Sequence, residues 1–152
     1  MAATRTHIDH HVKLCEFTKT GKRWKEKFPL TLPMQHPADL TALSDKCLLL
    51  TYGIRNRGLM GIGARLSIDG GLTWRPPWVI HQFGSEAKDI GYPSTVLLDK
   101  KGNLLTAFYT DYEPSLKRKP NRYRVLAKKW SLRDWIHPSI TDSISDGKQL
   151  KI

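Results

Sequence analysis

The chain alternates between short apolar runs and clusters of Gly, Pro, Asp and Lys, and helical periodicity is nearly absent. Apolar residues at every second position are typical of strands that bury one face. Turn residues separate the runs at short intervals, which favours an all-β fold. The pattern predicts strands near residues 11–17, 38–43, 47–53, 61–68, 77–82, 94–98, 103–110 and 122–129.

An internal repeat groups these strands into units. Residues 36–52, "HPADLTALSDKCLLLTY", align with residues 92–109, "YPSTVLLDKKGNLLTAFY", at an offset of 56. In this alignment His36 begins its strand at the position equivalent to Tyr92. Each copy contains an apolar strand, a polar turn and a second apolar strand. We therefore predict a four-stranded meander of about 50–56 residues, the kind of unit that forms one blade of a β-propeller.

A second and weaker echo lies upstream. The segment "FTKTGKRW" aligns Trp24 with Trp74 at an offset of 50, and it looks like a decayed copy of the turn that ends in Trp74. The repeat therefore predicts one complete unit, with part of a unit on either side of it. The predicted units are about 1–33, 36–83 and 92–135, followed by a polar C-terminal tail at 136–152.

Two motifs resemble those of a known family. Residues 67–74, "SIDGGLTW", match the Ser-x-Asp-x-Gly-x-Thr-Trp pattern of the Asp-box, which is found in sialidases (neuraminidases) and related BNR-repeat proteins. Residues 89–110, "DIGYPSTVLLDKKGNLLTAFYT", are similar to a segment that recurs in bacterial sialidase-like propellers. The resemblance implies a six-bladed β-propeller, of which this chain holds about two and a half blades. It also implies an exo-sialidase-like glycoside hydrolase wherever the full propeller is present.

The Asp-box residues each have a local structural use, so we interpret the box as architecture rather than chemistry. Glycines permit turn conformations that side chains forbid, and an Asp side chain accepts hydrogen bonds from the amides of its own turn. A buried tryptophan ring contributes a large apolar area between sheets. The structural box residues are Ser67, Asp69, Gly71, Thr73 and Trp74.

Candidate chemistry lies on the other face of the predicted propeller. Neighbouring strands of a meander run in opposite directions, so the loops before the first strand and after the second lie opposite the box. The resemblance implies arginines that hold a carboxylate, an Asp as acid/base and a Tyr nucleophile activated by a Glu. The candidates are Tyr92 and Asp89 for catalysis, and Arg55, Arg57, His36 and Asp111 for substrate binding.

Alternative roles stay open for several of these residues. Tyr92 fits a nucleophile, a substrate contact or a packing residue. Asp89 fits an acid/base or a side chain that caps its loop. Arg55 fits a substrate clamp or an exposed loop arginine. Arg65, in the middle of a strand, points either into the channel or into a neighbouring sheet.

The composition adds a basic charge to this picture. The net charge is +11 over 152 residues, concentrated in "KTGKRWKEK" near the N-terminus and in residues 115–124. Basic segments can bind phosphates, but no helix-turn-helix, zinc finger or aromatic RNA platform accompanies these. Three hypotheses follow: a fragment of a sialidase-like hydrolase that acts on or binds terminal sugars, inactive alone; a non-catalytic carbohydrate- or protein-binding module; and a binder of nucleic acid or acidic polysaccharide.

Other features narrow the class of protein. Cys15 and Cys47 lie in apolar runs and are predicted to be buried thiols, and no metal-ligand spacing or cofactor motif is visible. No apolar run is long enough to span a bilayer, and the N-terminal segment lacks the apolar core of a secretory signal. A partial propeller exposes open blade edges, so we expect a homo-oligomer or a marginally stable chain.

Overall fold

The computed structural model describes residues 1–112 and 123–136. Within these ranges ten strands form three antiparallel sheets in chain order, and a short 3-10 turn, Leu132–Asp134, follows the last strand. Sheet I contains β1 (Ala2–Arg5), β2 (Val12–Thr18) and β3 (Arg23–Pro29). Sheet II contains β4 (Gln35–Ala42), β5 (Leu48–Ile54), β6 (Met60–Ser67) and β7 (Trp78–Gly84). Sheet III contains β8 (Ile90–Leu97), β9 (Asn103–Thr110) and β10 (Arg124–Ser131).

The predicted all-β class is confirmed, and most predicted strands lie within a few residues of those observed. Two strands were not predicted. β3 has the sequence RWKEKFP, in which charged residues hide the alternation, and β1 has only four residues. Both flank β2, which pairs with each of them. Strand β8 also begins earlier than predicted, because the chain enters it through an irregular pairing between Gly91 and Ser94.

Sheet II lies between the other two sheets, and β5 shows how it packs against both. The sequence LLLTYGI is buried nearly throughout, because alternate side chains point to opposite neighbours. Leu49 belongs to the core shared with sheet III, whereas Leu50 and Tyr52 belong to the core shared with sheet I. The core between sheets I and II includes Val12, Leu14, Leu30, Leu50, Tyr52 and Ile54. The core between sheets II and III includes Leu49, Ile62, Leu66, Ile80, Ile90, Leu104, Phe108 and Trp130.

A chain of buried polar groups also joins sheets II and III. The hydroxyl of Thr95 lies 3.0 Å from that of Thr51 and 2.9 Å from that of Thr106. The indole N–H of Trp130 donates to the Thr106 hydroxyl at 2.9 Å. Buried hydroxyls of this kind are costly unless each finds a partner, and here each does. The chain therefore fixes how the two sheets sit on one another.

The strand pairing corrects the sequence alignment of the repeat by one residue. Leu40 pairs with Leu50 facing sheet I, and Thr95 pairs with Thr106 facing sheet II. The second strands are thus related by an offset of 56, but the first strands by an offset of 55. A one-residue slip moves every side chain of a strand to the opposite face. His36 consequently corresponds to Gly91, and the counterpart of Tyr92 is Pro37.

The strand ends define two ends of the molecule. The box end carries the turn between β6 and β7, which contains the Asp-box, and the hairpin between β2 and β3. The opposite end, here called the site end, carries the start of β4 and β8 and the end of β5 and β9. The antiparallel pairing thus separates the Asp-box from Arg55, Asp89 and Tyr92, as the meander pattern predicted.

The predicted tail begins inside the packed structure. Ile136 is 4% exposed and belongs to the core between sheets II and III, and its amide donates to the carbonyl of Leu132 at 2.8 Å. The rest of the predicted tail, 137–152, and most of the basic segment 115–124 lie outside the described residues. Within the described ranges, no helical segment combines the length and apolarity needed to span a bilayer.

Candidate functional site

The Asp-box forms a closed hydrogen-bonded turn at the box end. The Ser67 hydroxyl donates to Asp69 Oδ1 at 2.7 Å and accepts the Gly71 amide at 2.8 Å. Asp69 also accepts the amides of Leu72 and Thr73 at 3.0 Å and the hydroxyl of Thr73. Gly71 has a φ of 91°, which a side chain rarely adopts. All acceptor capacity of Asp69 is directed into its own turn.

The electrostatics of the turn match this geometry. Burial alone would raise the pKa of Asp69, but the hydrogen bonds from Thr73, Ser67 and the Leu72 amide outweigh it and hold the pKa below its ordinary value. Trp74 follows the turn and packs, half-buried, against the core between sheets I and II. These contacts give every box residue a structural role.

Arg65 is a second structural residue near the box. Its guanidinium donates to the carbonyls of Leu30, Trp74 and Arg75 at 2.9, 3.1 and 3.0 Å. Because Leu30 follows β3, the side chain points into the neighbouring sheet, which settles the alternative left open by the sequence. Arg65 therefore joins sheets I and II and is unavailable as a substrate clamp.

At the site end, Arg55 and Asp89 form the centre of a polar cluster. The Arg55 guanidinium, just after β5, makes an ion pair with Asp89 Oδ1 in the loop before β8. The Tyr109 hydroxyl donates to the same oxygen at 3.0 Å, and the Tyr123 hydroxyl donates to Oδ2 at 3.1 Å. Three donors from three elements thus converge on one carboxylate.

Asp111 supports this carboxylate from behind. Its Oδ1 accepts the amides of Lys88 and Asp89 at 2.9 and 3.0 Å, and its own amide donates to the Asp89 carbonyl at 3.1 Å. The pairing holds the loop before β8 against the end of β9. Asp111 was predicted as a substrate contact, and in the structure its Oδ1 braces this loop.

The rings of three tyrosines lie together beside this cluster. Tyr109 is the central ring, with Tyr92 at 5.9 Å and Tyr123 at 5.4 Å between ring centroids. Tyr92 and Tyr123 are 61% and 62% exposed, so the group presents an aromatic surface to solvent. Burial, followed by the hydrogen bond to Asp89, raises the pKa of Tyr109 to about 12, so its hydroxyl remains a donor at neutral pH. The hydrogen bond to Asp89 likewise raises the pKa of Tyr123.

Tyr92 reaches this surface through an unusual backbone conformation. Its φ is 47°, in the left-handed region that non-glycine residues rarely occupy, and it lies within the irregular pairing of β8 with β9. Bulges of this kind redirect a side chain and are frequent next to functional sites. Among the described residues the Tyr92 hydroxyl has no hydrogen-bond partner, and the Glu86 carboxylate is hydrogen-bonded to Tyr112.

His36 lies close by but beneath the surface. It is 6% exposed, neither ring nitrogen has a partner among the described residues, and its ring stacks on His10 at 5.7 Å. Burial lowers the pKa of His36, and the charges of Arg55 and Arg5 lower it further. His36 therefore stays neutral at physiological pH, and its ring packs against the loop between β1 and β2, which holds His10.

The structure thus brings together Arg55, Asp89 and Tyr92, and Asp111 braces the loop that carries Asp89, whereas His36 is buried against His10. Arg57 remains an exposed loop residue. Sequence reasoning missed Tyr109 and Tyr123. Side chains alternate between the two faces of β9, and Phe108 lies on the buried face. The sequence pattern alone would therefore have placed the ring of Tyr109 on the surface. Among the described residues, no group of three or more His, Cys, Asp or Glu is arranged to hold a metal ion.

Comparisons of the chain with protein-family models, curated proteins and solved structures find no match. What the chain does is therefore inferred from the residues of its box end and its site end.

Proposed function

We propose that this chain is a carbohydrate-binding module of the sialidase type of β-propeller, which takes a terminal sugar at its site end. Three features support the propeller architecture: sheet II is a complete four-stranded meander, the sheets stack face to face in chain order, and the Asp-box turn joins the third and fourth strands. Stacked four-stranded meanders are the building principle of propeller blades.

The tyrosine surface around the Arg55–Asp89 ion pair carries the proposal. A sugar ring has an apolar face of C–H groups and a rim of hydroxyls, so it needs an aromatic surface beside hydrogen-bonding groups. Tyr92 and Tyr123 supply exposed rings, and each Tyr combines an apolar body with a polar tip. Arg55 supplies further N–H donors, and a carboxylate-bearing sugar such as a sialic acid would compete with Asp89 for them.

The same contacts favour binding over turnover by this chain alone. Both oxygens of Asp89 are already hydrogen-bonded, so a role in proton transfer would require one donor to leave. A tyrosine nucleophile needs an activating base, and Glu86 contacts Tyr112 rather than Tyr92. Tyr92 and Asp89 are accordingly assigned to substrate contact and site organisation.

The experiment combines a binding measurement with a turnover assay. Isothermal titration with 3′-sialyllactose and with lactose measures binding, and fluorogenic aryl sialosides and other aryl glycosides measure hydrolysis. We expect binding without turnover. The Tyr92→Ala variant should weaken binding at least tenfold, whereas Leu72→Ala, an exposed apolar residue of the box turn, should leave it unchanged.

Two outcomes would overturn the proposal in different ways. Turnover that is lost in Tyr92→Phe would favour the hydrolase. Binding of DNA or heparin with a steep salt dependence, without sugar binding, would favour the basic-binder hypothesis that the net charge of +11 suggests.

A further inference from the structure

The stack of sheets ends in two outer faces that no described element covers. The outer face of sheet I is the side of β1–β3 that points away from sheet II, and the outer face of sheet III is the side of β8–β10 that points away from sheet II. The first carries Thr4, Lys13, Cys15, Phe17, Trp24 and Glu26. The second carries Tyr92, Val96, Leu105, Ala107, Tyr109, Val125 and Lys129.

In the repeat, the outer face of sheet I is equivalent to the face of sheet II that packs against sheet I. Trp24 and Trp74 occupy the same place after equivalent turns at the box end, at the offset of 50. Trp74 is half-buried against sheet I, whereas Trp24 is 55% exposed. The centroid of the Trp24 ring lies 5.6 Å from that of Phe17 on the same face. Trp24 therefore has the position of an interface residue without the sheet that would cover it.

In the repeat, the outer face of sheet III is equivalent to the face of sheet II that packs against sheet III. Leu105 and Ala107 correspond to Leu49 and Thr51, which are buried between sheets II and III. On sheet III the same side is open: the apolar Val96 and Val125 are 52% and 77% exposed, and the exposed Lys129 lies opposite Leu105. The two outer faces are thus the two halves of an interface that already occurs twice within the chain.

We infer that two copies of this chain associate head to tail, with the outer face of sheet III of each copy packed on the outer face of sheet I of the other, closing a ring of six sheets. The inference rests on the propeller architecture proposed above. Unlike faces that meet head to tail form closed rings when the rotation between copies allows it. Six sheets fall within the range of about four to eight blades known for propellers.

The residues at the site end of sheet III fit this arrangement. Between sheets II and III, the first strand of sheet III approaches closely, and a Cβ on Gly91 would lie 3.2 Å from Pro37. A Cβ on Gly53 would lie 3.2 Å from the Cα of Gly91. The counterparts of Pro37 and Gly53 on sheet III are the bulky Tyr92 and Tyr109. Within the described residues sheet I has no counterpart of β8, so docking sheet I there leaves room for both rings.

The ring would complete the sugar site. The loop between β1 and β2, residues 6–11, lies at the site end of sheet I, and Arg5 ends β1 directly before it. In the ring, this loop of the second copy borders the tyrosine surface of the first. Each site then contains residues from both copies.

The first test measures mass in solution by light scattering over a thousandfold dilution series. We expect twice the 17.4 kDa mass of the chain. Trp24→Glu and Val125→Glu, one on each outer face, should each shift the species to monomer. Leu72→Glu changes an exposed apolar residue of the box turn, outside both faces, and should leave the dimer intact.

Mixing the Trp24→Glu and Val125→Glu variants distinguishes the head-to-tail ring from other kinds of dimer. The Trp24→Glu variant keeps a native sheet III, and the Val125→Glu variant keeps a native sheet I. A mixed pair can therefore form one fully native interface, so the mixture should contain dimer that neither variant forms alone. If sheet III instead packed on sheet III of a second copy, Trp24→Glu would have no effect and mixing would restore nothing. Either result, or a wild-type monomer at every concentration, would overturn the inference.

Thiol labelling provides a readout without substitutions. Cys15, which was predicted to be buried, is only half-buried on the outer face of sheet I. Cys47 is 3% exposed with its pKa raised by burial to about 12, which makes it an inert internal control. Alkylation of Cys15 should slow as protein concentration rises. A Cys15 rate that does not change with concentration would contradict docking on sheet I, whatever the outcome of the sugar-binding assays.

Discussion

Arg55 and Asp89, which are 34 residues apart in sequence, form an ion pair that ties the end of β5 to the loop before β8. Their side chains are 24% and 27% exposed, so the pair is partly shielded from solvent. Tyr109 and Tyr123 donate to the same carboxylate. The organisation of the site end therefore depends on one carboxylate that receives donors from sheet II and sheet III.

Removal of Arg55 should weaken the fold. Arg55→Met leaves Asp89 with its tyrosine donors but without a counter-charge, so we expect the free energy of unfolding to fall by about 1–3 kcal/mol. Arg57→Met, two residues away in the same loop and exposed, should change it by less than about 0.5 kcal/mol. Urea unfolding measures both. Equal effects of the two substitutions would contradict the central place given to the ion pair.

The Asp-box turn should affect stability without affecting binding. Asp69→Ala removes the acceptor for two backbone amides and two hydroxyls, and should lower the free energy of unfolding by about 1–3 kcal/mol. Sialyllactose binding measured at a temperature where the variant is folded should stay within twofold of wild type. A selective loss of binding would show that the box end takes part in the function.

The contribution of Asp69 should also depend on pH with a definite sign. Because the pKa of Asp69 is lower in the folded chain than its ordinary value of 3.8, its stabilisation is complete above that value. It is lost as the pH falls through the lower, folded-state pKa. The stability difference between wild type and Asp69→Ala should therefore be constant from pH 7 to 5 and shrink below pH 3.8. A difference that grew on acidification would contradict the hydrogen-bonded turn.

The hydroxyl chain between sheets II and III should be sensitive to loss of its central member. Thr95→Val keeps the shape of the side chain but leaves the hydroxyls of Thr51 and Thr106 with one partner fewer, so we expect a loss of about 1–3 kcal/mol. Ser94→Ala, the exposed neighbour on the same strand, should be nearly neutral. Chemical denaturation compares the two. A neutral Thr95→Val would show that the buried hydroxyls do not fix the packing of the sheets.

His36 should make the fold less stable in mild acid. Burial, together with the nearby charges of Arg55, Arg5, His10 and His7, lowers the pKa of His36 below its ordinary value of 6.5. The unfolded chain therefore binds this proton more tightly, and stability falls as the pH drops from 6.5 toward the folded-state pKa.

Urea unfolding at pH 7.5 and at pH 5 tests this effect. His36→Gln should show a smaller loss between the two values than wild type does. His81, whose pKa is lowered by burial and by Lys128, contributes in the same direction, so His81→Gln should also reduce the loss and the two effects should add. An unchanged loss in His36→Gln would mean that another group carries the acid sensitivity.

Local patterns in the sequence were sufficient for part of this structure. The alternation in β9 and the largely apolar sequence of β5 depend on residues within one strand, and the Asp-box closes its hydrogen bonds within five residues. Strand β3 escaped detection because its side chains are largely charged and exposed, so no apolar period marks it. In the repeat alignment, β4 was matched to β8 with an error of one residue. The connection between the paired residues of β8 and β9 is one residue longer than that between β4 and β5, and the apolar pattern fits either alignment.

That the candidate residues share one end of the strands was predictable from the sequence, but their contacts were not. The meander rule placed Arg55, Asp89 and Tyr92 at one end of the strands, because strand direction alone decides this. That Tyr109 and Tyr123 both donate to Asp89 depends on how β9 and β10 sit against the loop before β8, which no local pattern encodes.

A titration followed by two-dimensional amide NMR tests most directly the proposal that the site end binds a terminal sugar. With 3′-sialyllactose added to the labelled protein, the amides of Asp89, Ile90, Tyr92 and Tyr109 should shift in proportion to occupancy, while those of Gly70 to Thr73 at the box end stay in place. Shifts concentrated in the box turn, or no shifts at millimolar sugar, would contradict the account.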